Sequence, residues 1–138
     1  MIIRRVFVIA AIAAVAVVSA HVTHAQQAPA VKRTVLLQHD TSLPGYEAVL
    51  VSVEIPVGGR EGRHTHPGTA VLHVVDGALT LDYEGKPTVT YKAGQSFFVD
   101  AGKVHEGINK ESVPAKAIAT FVVPKGQPLT TQVAPATK

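Results

Sequence analysis

The sequence predicts an all-β fold in a single domain, and three observations carry the prediction. Apolar, β-branched runs of five to ten residues recur with a turn signal about every ten positions. No stretch beyond residue 25 holds apolar residues at a helical spacing. The chain has 138 residues, 46% apolar and 17% charged, which suits one buried core and is too short for two ordinary domains.

The opening segment is set apart first. Arg4 and Arg5 precede an uncharged apolar run over residues 6–18, and Thr23, His24 and Ala25 lead into Gln26. This order is that of a secretory signal peptide covering residues 1–25, with cleavage after Ala25 and Ala20 as the second choice. The run is shorter than the roughly 20 residues a membrane-spanning helix needs, so no membrane attachment is expected after cleavage. Arg4 and Arg5 sit too close to Met1 for a twin-arginine signal and read as an ordinary basic start. The expected location is periplasmic or secreted.

Cleavage would leave 113 residues with eleven basic and ten acidic side chains, a net charge of about +1 with neutral histidines. The basic excess lies mostly in the signal, and no lysine or arginine run remains that would suit nucleic acid or an anionic lipid surface. Cysteine is absent, which excludes disulfides, thiolate ligands and a cysteine nucleophile. Any metal must be held by His, Asp or Glu.

The elements follow in order. Residues 26–33 read as a flexible lead-in and residues 34–38 as a short strand. A turn at residues 42–45 precedes a long strand over residues 46–55, which Pro56, Gly58 and Gly59 stop. Short β-prone runs follow at residues 71–75, 78–83 and 88–91, punctuated by Asp76-Gly77, Glu84-Gly85 and Ala93-Gly94. Residues 96–99 and 115–123 complete the strands, and residues 125–138 read as a C-terminal tail. Such spacing fits either an immunoglobulin-like sandwich or a closed barrel.

The histidines separate these two folds. Residues 26–138 hold five: His39, His64, His66, His73 and His105. Side chains two apart on a strand share a face, so His64 and His66 can reach one ion at about 2.1 Å. Around them the sequence reads Gly58-x5-His64-x-His66-x3-Ala70-x6-Gly77, and downstream Gly94-x5-Asp100-x-Gly102-x2-His105-x3-Asn109. These stretches, residues 58–77 and 94–109, resemble the two motifs of the cupin family, Gly-x5-His-x-His-x3-Glu-x6-Gly and Gly-x5-Pro-x-Gly-x2-His-x3-Asn, with every spacing kept.

The resemblance implies a single cupin barrel, a double-stranded β-helix of jelly-roll type, over residues 34–124. It implies that His64, His66 and His105 converge inside it as ligands of a divalent ion, whether iron, manganese, copper, nickel or zinc. Two departures stand out. The family's glutamate ligand falls on Ala70, and the proline of the second motif falls on Asp100. Three imidazoles still suffice for a first-row dication, and without the acid its charge stays whole.

The remaining candidates are weighed by strand alternation. His73 should face away from the triad, which leaves it a ligand only if a bulge shifts the register. Glu106 follows His105 and should point to the opposite face. Arg60 and Arg63 enter the first motif and could hold an anionic substrate, or simply be solvated. His39 is expected at the surface. Phe97, Phe98, Tyr83, Tyr91 and Phe121 are expected in the core, with one lining a pocket, and Asn109 is expected to support its loop.

Two functions are therefore expected to compete. One is a metal-dependent enzyme, such as a dioxygenase or isomerase, acting on a small organic molecule. The other is a non-catalytic barrel that binds a small ligand or metal and in which Ala70 marks a degenerate site. No catalytic acid or base can be assigned from the sequence. The resemblance also implies a homodimer, with residues 26–35 as an arm suited to pairing.

Overall fold

The computed structural model describes residues 29–134. The expected signal peptide lies outside the described residues. Among them there are ten strands and no helix. In chain order these are β1 (Lys32–Asp40), β2 (Tyr46–Ile55), β3 (His64–Thr65), β4 (Thr69–Asp76), β5 (Ala78–Tyr83), β6 (Val89–Lys92), β7 (Ser96–Val99), β8 (His105–Ile108), β9 (Ala115–Pro124) and β10 (Thr131–Gln132).

They form two five-stranded antiparallel sheets, ordered β1-β2-β9-β4-β7 and β10-β3-β8-β5-β6. Strands distant in the chain pair around closer ones: β2 with β9, β4 with β9 and β7, β5 with β8. This nesting is the jelly-roll arrangement that the motifs imply, and it disposes of the immunoglobulin-like alternative.

Alternation along β2 and β9 explains the first sheet. Val49, Val51, Val53 and Ile55 point inward from β2, and Ala115, Ala117, Ala119, Phe121 and Val123 point inward from β9. The register sets large against small: Ile55 opposite Ala115, Val53 opposite Ala117 and Val51 opposite Ala119. Burying each Val or Ile contributes about 1.5 to 3 kcal/mol, and the small partners let these side chains interlock without strain. The second sheet covers them with Leu79, Leu81 and Tyr83.

Three expectations shift. β1 starts at Lys32, inside the expected lead-in, and all of its residues are exposed; Lys32 to Val35 pair within the chain, opposite Glu54 to Val51. Beyond Pro124 the chain is not a mere tail: β10 pairs with β3, and Leu129 packs against the core. Phe98, expected in the core, is half exposed, because the alternation that buries Phe97 and Val99 turns the residue between them outward.

Candidate metal centre

β3 and β8 lie side by side with His64 directly opposite His105. His66 follows β3 on the same face as His64. All three imidazoles are buried, with 2%, 5% and 4% of their surface exposed for His64, His66 and His105. Their ring centroids are 4.9 Å (His64 to His66), 4.3 Å (His64 to His105) and 4.8 Å (His66 to His105) apart. One nitrogen from each lies within 4.8 Å of the other two, so the group could hold a metal ion.

Hydrogen bonding fixes which nitrogen each ring presents. His64 Nδ1 is 2.7 Å from the Gly62 carbonyl oxygen, His66 Nδ1 is 2.6 Å from that of Leu129, and His105 Nδ1 is 2.9 Å from that of Lys103. A carbonyl only accepts, so each Nδ1 carries the hydrogen and donates it. In the neutral rings every Nε2 is then left with a lone pair, and His66 Nε2 lies 3.1 Å from His105 Nε2. Burial opposes the alternative of a proton: it pushes both His66 and His105 down to about 4. Two facing lone pairs that resist protonation are a donor set suited to a divalent cation.

The neighbouring residues orient the rings. The Phe121 ring meets His66 edge-on, with centroids 4.8 Å apart. Tyr83 stacks near His105 at 6.3 Å, and its hydroxyl donates to Asp100 Oδ2 at 2.8 Å while accepting the Asp100 backbone N–H at 3.3 Å. A proline at position 100 has no N–H to donate, so this departure from the family pattern exchanges a rigid turn for a hydrogen-bonded support. Ala70 is fully buried opposite Val99 and Phe121, where its methyl group belongs to the core.

A cavity of about 50 Å³ adjoins the triad. Its walls are mostly hydrocarbon, including Val51, Leu72, Leu81, Phe97 and Phe121, with Leu129 and Thr130 from the C-terminal segment. Both Phe97 and Phe121 line it, where one aromatic was expected. Among the described residues, Arg33 and Glu61 are the charged side chains in its wall. Arg33 Nη2 donates to Glu61 Oε1 at 2.9 Å.

Neither member of this pair stands out in the sequence. Glu61 lies three residues before His64, inside the first motif, at a position the pattern leaves open, and Arg33 falls in the expected lead-in. An acid within the x5 gap was the available signal for Glu61. The contribution of Leu129 had no local signal, because it comes from 63 residues away.

The other sequence candidates stand apart from the triad. Arg60 does not enter the cavity: its Nε and Nη2 bind the two Glu106 carboxylate oxygens at 2.9 and 2.6 Å. That hydrogen bonding holds the Glu106 carboxyl below the usual range. Glu106 faces away from the triad, as alternation requires, and Arg63 donates to Glu84 at 3.1 Å. These arginines line a separate surface pocket and not the cavity beside the triad, and each is paired with a carboxylate. His73 is exposed and pairs with Ser96 Oγ at 2.9 Å, and exposed His39 bonds the Asp40 carbonyl. Asn109, almost fully buried, donates to the carbonyls of Ile55 and Val113 and accepts from the Glu111 N–H, which braces its loop.

The family model described as "Cupin domain" matches residues 51–127. Among curated proteins none matches. Among solved structures, a cupin-like protein from Thermotoga maritima has a TM-score of 0.64 and 19% identity, over 78% of this chain and 79% of that one. A Klebsiella pneumoniae protein with a double-stranded β-helix domain gives 0.57 and 22%, over 70% and 78%. The DMSP lyase DddQ from Ruegeria pomeroyi gives 0.58 and 19%, over 66% of this chain and 45% of that chain. At these identities the likeness is one of fold.

Proposed function

Because the chain belongs to the cupin family, whose model spans more than half of it, we propose that His64, His66 and His105 bind a divalent first-row metal and that the protein is a metal-dependent enzyme acting on a small organic molecule. The observation that carries this reading is the set of three Nδ1–H donors spent on backbone carbonyls, which leaves three Nε2 lone pairs converging in one buried group. A triad kept only for packing has no need to fix all three rings in the same tautomer.

A bound ion would supply Lewis-acid chemistry and, if it were iron, manganese or copper, electron transfer as well. The chain's own residues do the rest. His64, His66 and His105 would hold the ion through their Nε2 atoms. Leu72, Leu81, Phe97 and Phe121 shield the cavity from water and receive the apolar part of a ligand. With about 50 Å³ to fill, that ligand is only a few heavy atoms, or projects only its reacting end inside. Among the described residues, Arg33 and Glu61 are the charged members of this wall.

The alternative is a non-catalytic barrel, and the buried methyl of Ala70 favours it. A barrel kept only for structure would fill its centre with side chains, so the cavity beside the triad favours a ligand-binding centre, and turnover is what separates the enzyme from a binding module. Export through the signal at residues 1–25 and a homodimer belong to the same proposal, checked by N-terminal sequencing and by sedimentation.

The deciding experiment is elemental analysis of tag-free protein beside His64→Ala/His105→Ala. Near-stoichiometric metal that the variant loses supports the triad and names the ion. No metal in the parent protein, even after incubation with Fe(II), Mn(II), Cu(II), Ni(II) and Zn(II), refutes metal binding. Substrate screening with the loaded protein then separates enzyme from binding module.

A further inference from the structure

The triad leaves a dication's charge uncompensated, and the position where the family pattern has an acid carries a methyl group. The cavity nevertheless contains a carboxylate. Glu61 is the acidic side chain in the wall shared with His64, His66 and His105 among the described residues, and only 10% of it is exposed.

The chain is built around this carboxylate. The Glu61 N–H donates to the Gly107 carbonyl at 3.0 Å, which ties the loop before β3 to β8 just past His105. A Cβ added to Gly107 would collide with Glu61 Oε2, so the missing side chain at position 107 is the space the carboxylate occupies. On the other side its ion-pair partner is Arg33, from the exposed edge strand β1, through a single bond at 2.9 Å. Arg33 is 39% exposed, and an ion pair with one half in water, held by one hydrogen bond, is weak. The two arginines that flank Glu61 nearest in the chain are committed elsewhere: Arg60 with Glu106, Arg63 with Glu84.

We propose that Glu61 is the carboxylate donor of the metal centre, supplied from the loop before β3 in place of the residue lost at Ala70, and that Arg33 is a latch that competes with the metal for it. The inference rests on the triad binding metal, as argued above. With Arg33 holding it, the Glu61 carboxylate is not among the donor atoms gathered within 4.8 Å, so it must leave Arg33 to reach an ion. Carboxylate beside imidazole also tilts the donor set toward the harder first-row ions, manganese and iron.

The consequence is specific: the two halves of one ion pair affect metal affinity in opposite directions. The test is titration with Co(II), followed by visible absorption and chelator competition, on the parent protein, Glu61→Gln, Arg33→Met and the double variant. Glu61→Gln is expected to weaken Co(II) binding at least tenfold and to shift the visible bands, since a ligand has been exchanged. Arg33→Met is expected to tighten binding, and the double variant to behave as Glu61→Gln, with no charge left unpaired and thermal melting confirming the fold. Unchanged affinity in Glu61→Gln overturns the proposal and leaves the triad standing. Weakened affinity with an unchanged spectrum also overturns it, because that is the signature of a charge acting at a distance. A parent protein that takes up no Co(II) overturns the triad reading and this proposal together.

Discussion

His66 Nε2 and His105 Nε2 face each other at 3.1 Å while their Nδ1 atoms donate to the carbonyls of Leu129 and Lys103. Neither ring can turn over to relieve the contact without giving up its backbone bond. The barrel therefore presents two acceptors to one point in space, at a depth where burial holds both rings neutral down to about pH 4.

Protein stripped of divalent metal by chelation should lose stability in mild acid. Both rings titrate at about 4 when folded and near 6.5 when unfolded. Above pH 6.5 both states are neutral and the rings contribute nothing. Between 6.5 and 4 the unfolded chain binds protons that the folded chain refuses, so stability falls as pH falls, and the loss is complete below 4. At about 1.4 kcal/mol per pKa unit, the pair costs the fold several kcal/mol by pH 4. Urea midpoints measured from pH 7.5 to 4 should show this slope, and the His66→Asn/His105→Asn variant should flatten it. A parent profile with no slope would mean that the rings are solvated.

The C-terminal segment should prove part of the site. The Leu129 carbonyl orients His66, and β10 lies against β3 with Gln132 opposite His64. A chain ending at Gly126 removes both. Outer partners of metal-ligating histidines typically contribute 10- to 100-fold in affinity, and the truncated protein should bind Co(II) weaker by about that factor. Affinity equal to that of the full chain would show that His66 is held by Phe121 packing alone.

These two cases also separate what local sequence shows from what only the assembled sheets show. The triad could be found in the sequence because its members are spaced within two local patterns, and strand alternation correctly turned Glu106 and His73 away from it. Arg33, Leu129 and β10 were not legible. Each reaches the site through long-range pairing, Arg33 by the register of β1 on β2 and Leu129 across 63 residues, and register between distant strands leaves no trace in local periodicity. The roles of Arg60 and Arg63 stayed open in the sequence for the converse reason. Their place in the chain is beside the motif, but the carboxylates that neutralise them, Glu106 and Glu84, are found only when the sheet is assembled.

Asp100 should matter through Tyr83 rather than through the turn it replaces. Tyr83→Phe removes a hydroxyl that donates to Asp100 Oδ2 and accepts its N–H, while the ring and its packing remain. The expected cost is about 1 to 2 kcal/mol for two part-buried hydrogen bonds, one of them to a charged acceptor that water also reaches. For a domain of this size, that lowers the melting temperature by about 4 to 10 °C. Asp100→Pro, which restores the family's residue, should be no more stable than Tyr83→Phe. A more stable Asp100→Pro protein would show that turn rigidity outweighs the hydrogen bonds.

Gly68 is predicted to be the least replaceable glycine near the site. It lies two residues after His66, where the chain enters β4 against the middle of the first sheet. A Cβ there would run into the Val122 carbonyl oxygen and come within 2.9 Å of Val123 Cα. Both are backbone atoms of β9, which is paired on its two sides with β2 and β4, so neither can retreat without breaking a ladder. Overpacking a rigid interior commonly costs 1 to 3 kcal/mol, and a clash with a doubly paired strand belongs at about 3 kcal/mol or beyond. Relief is available only by moving the Pro67–Thr69 segment outward, which would also drag His66 away from His105. Gly68→Ala should therefore lower the urea midpoint and weaken Co(II) binding together. A variant that loses stability but keeps full affinity would place the strain in β9 alone and free the triad from it.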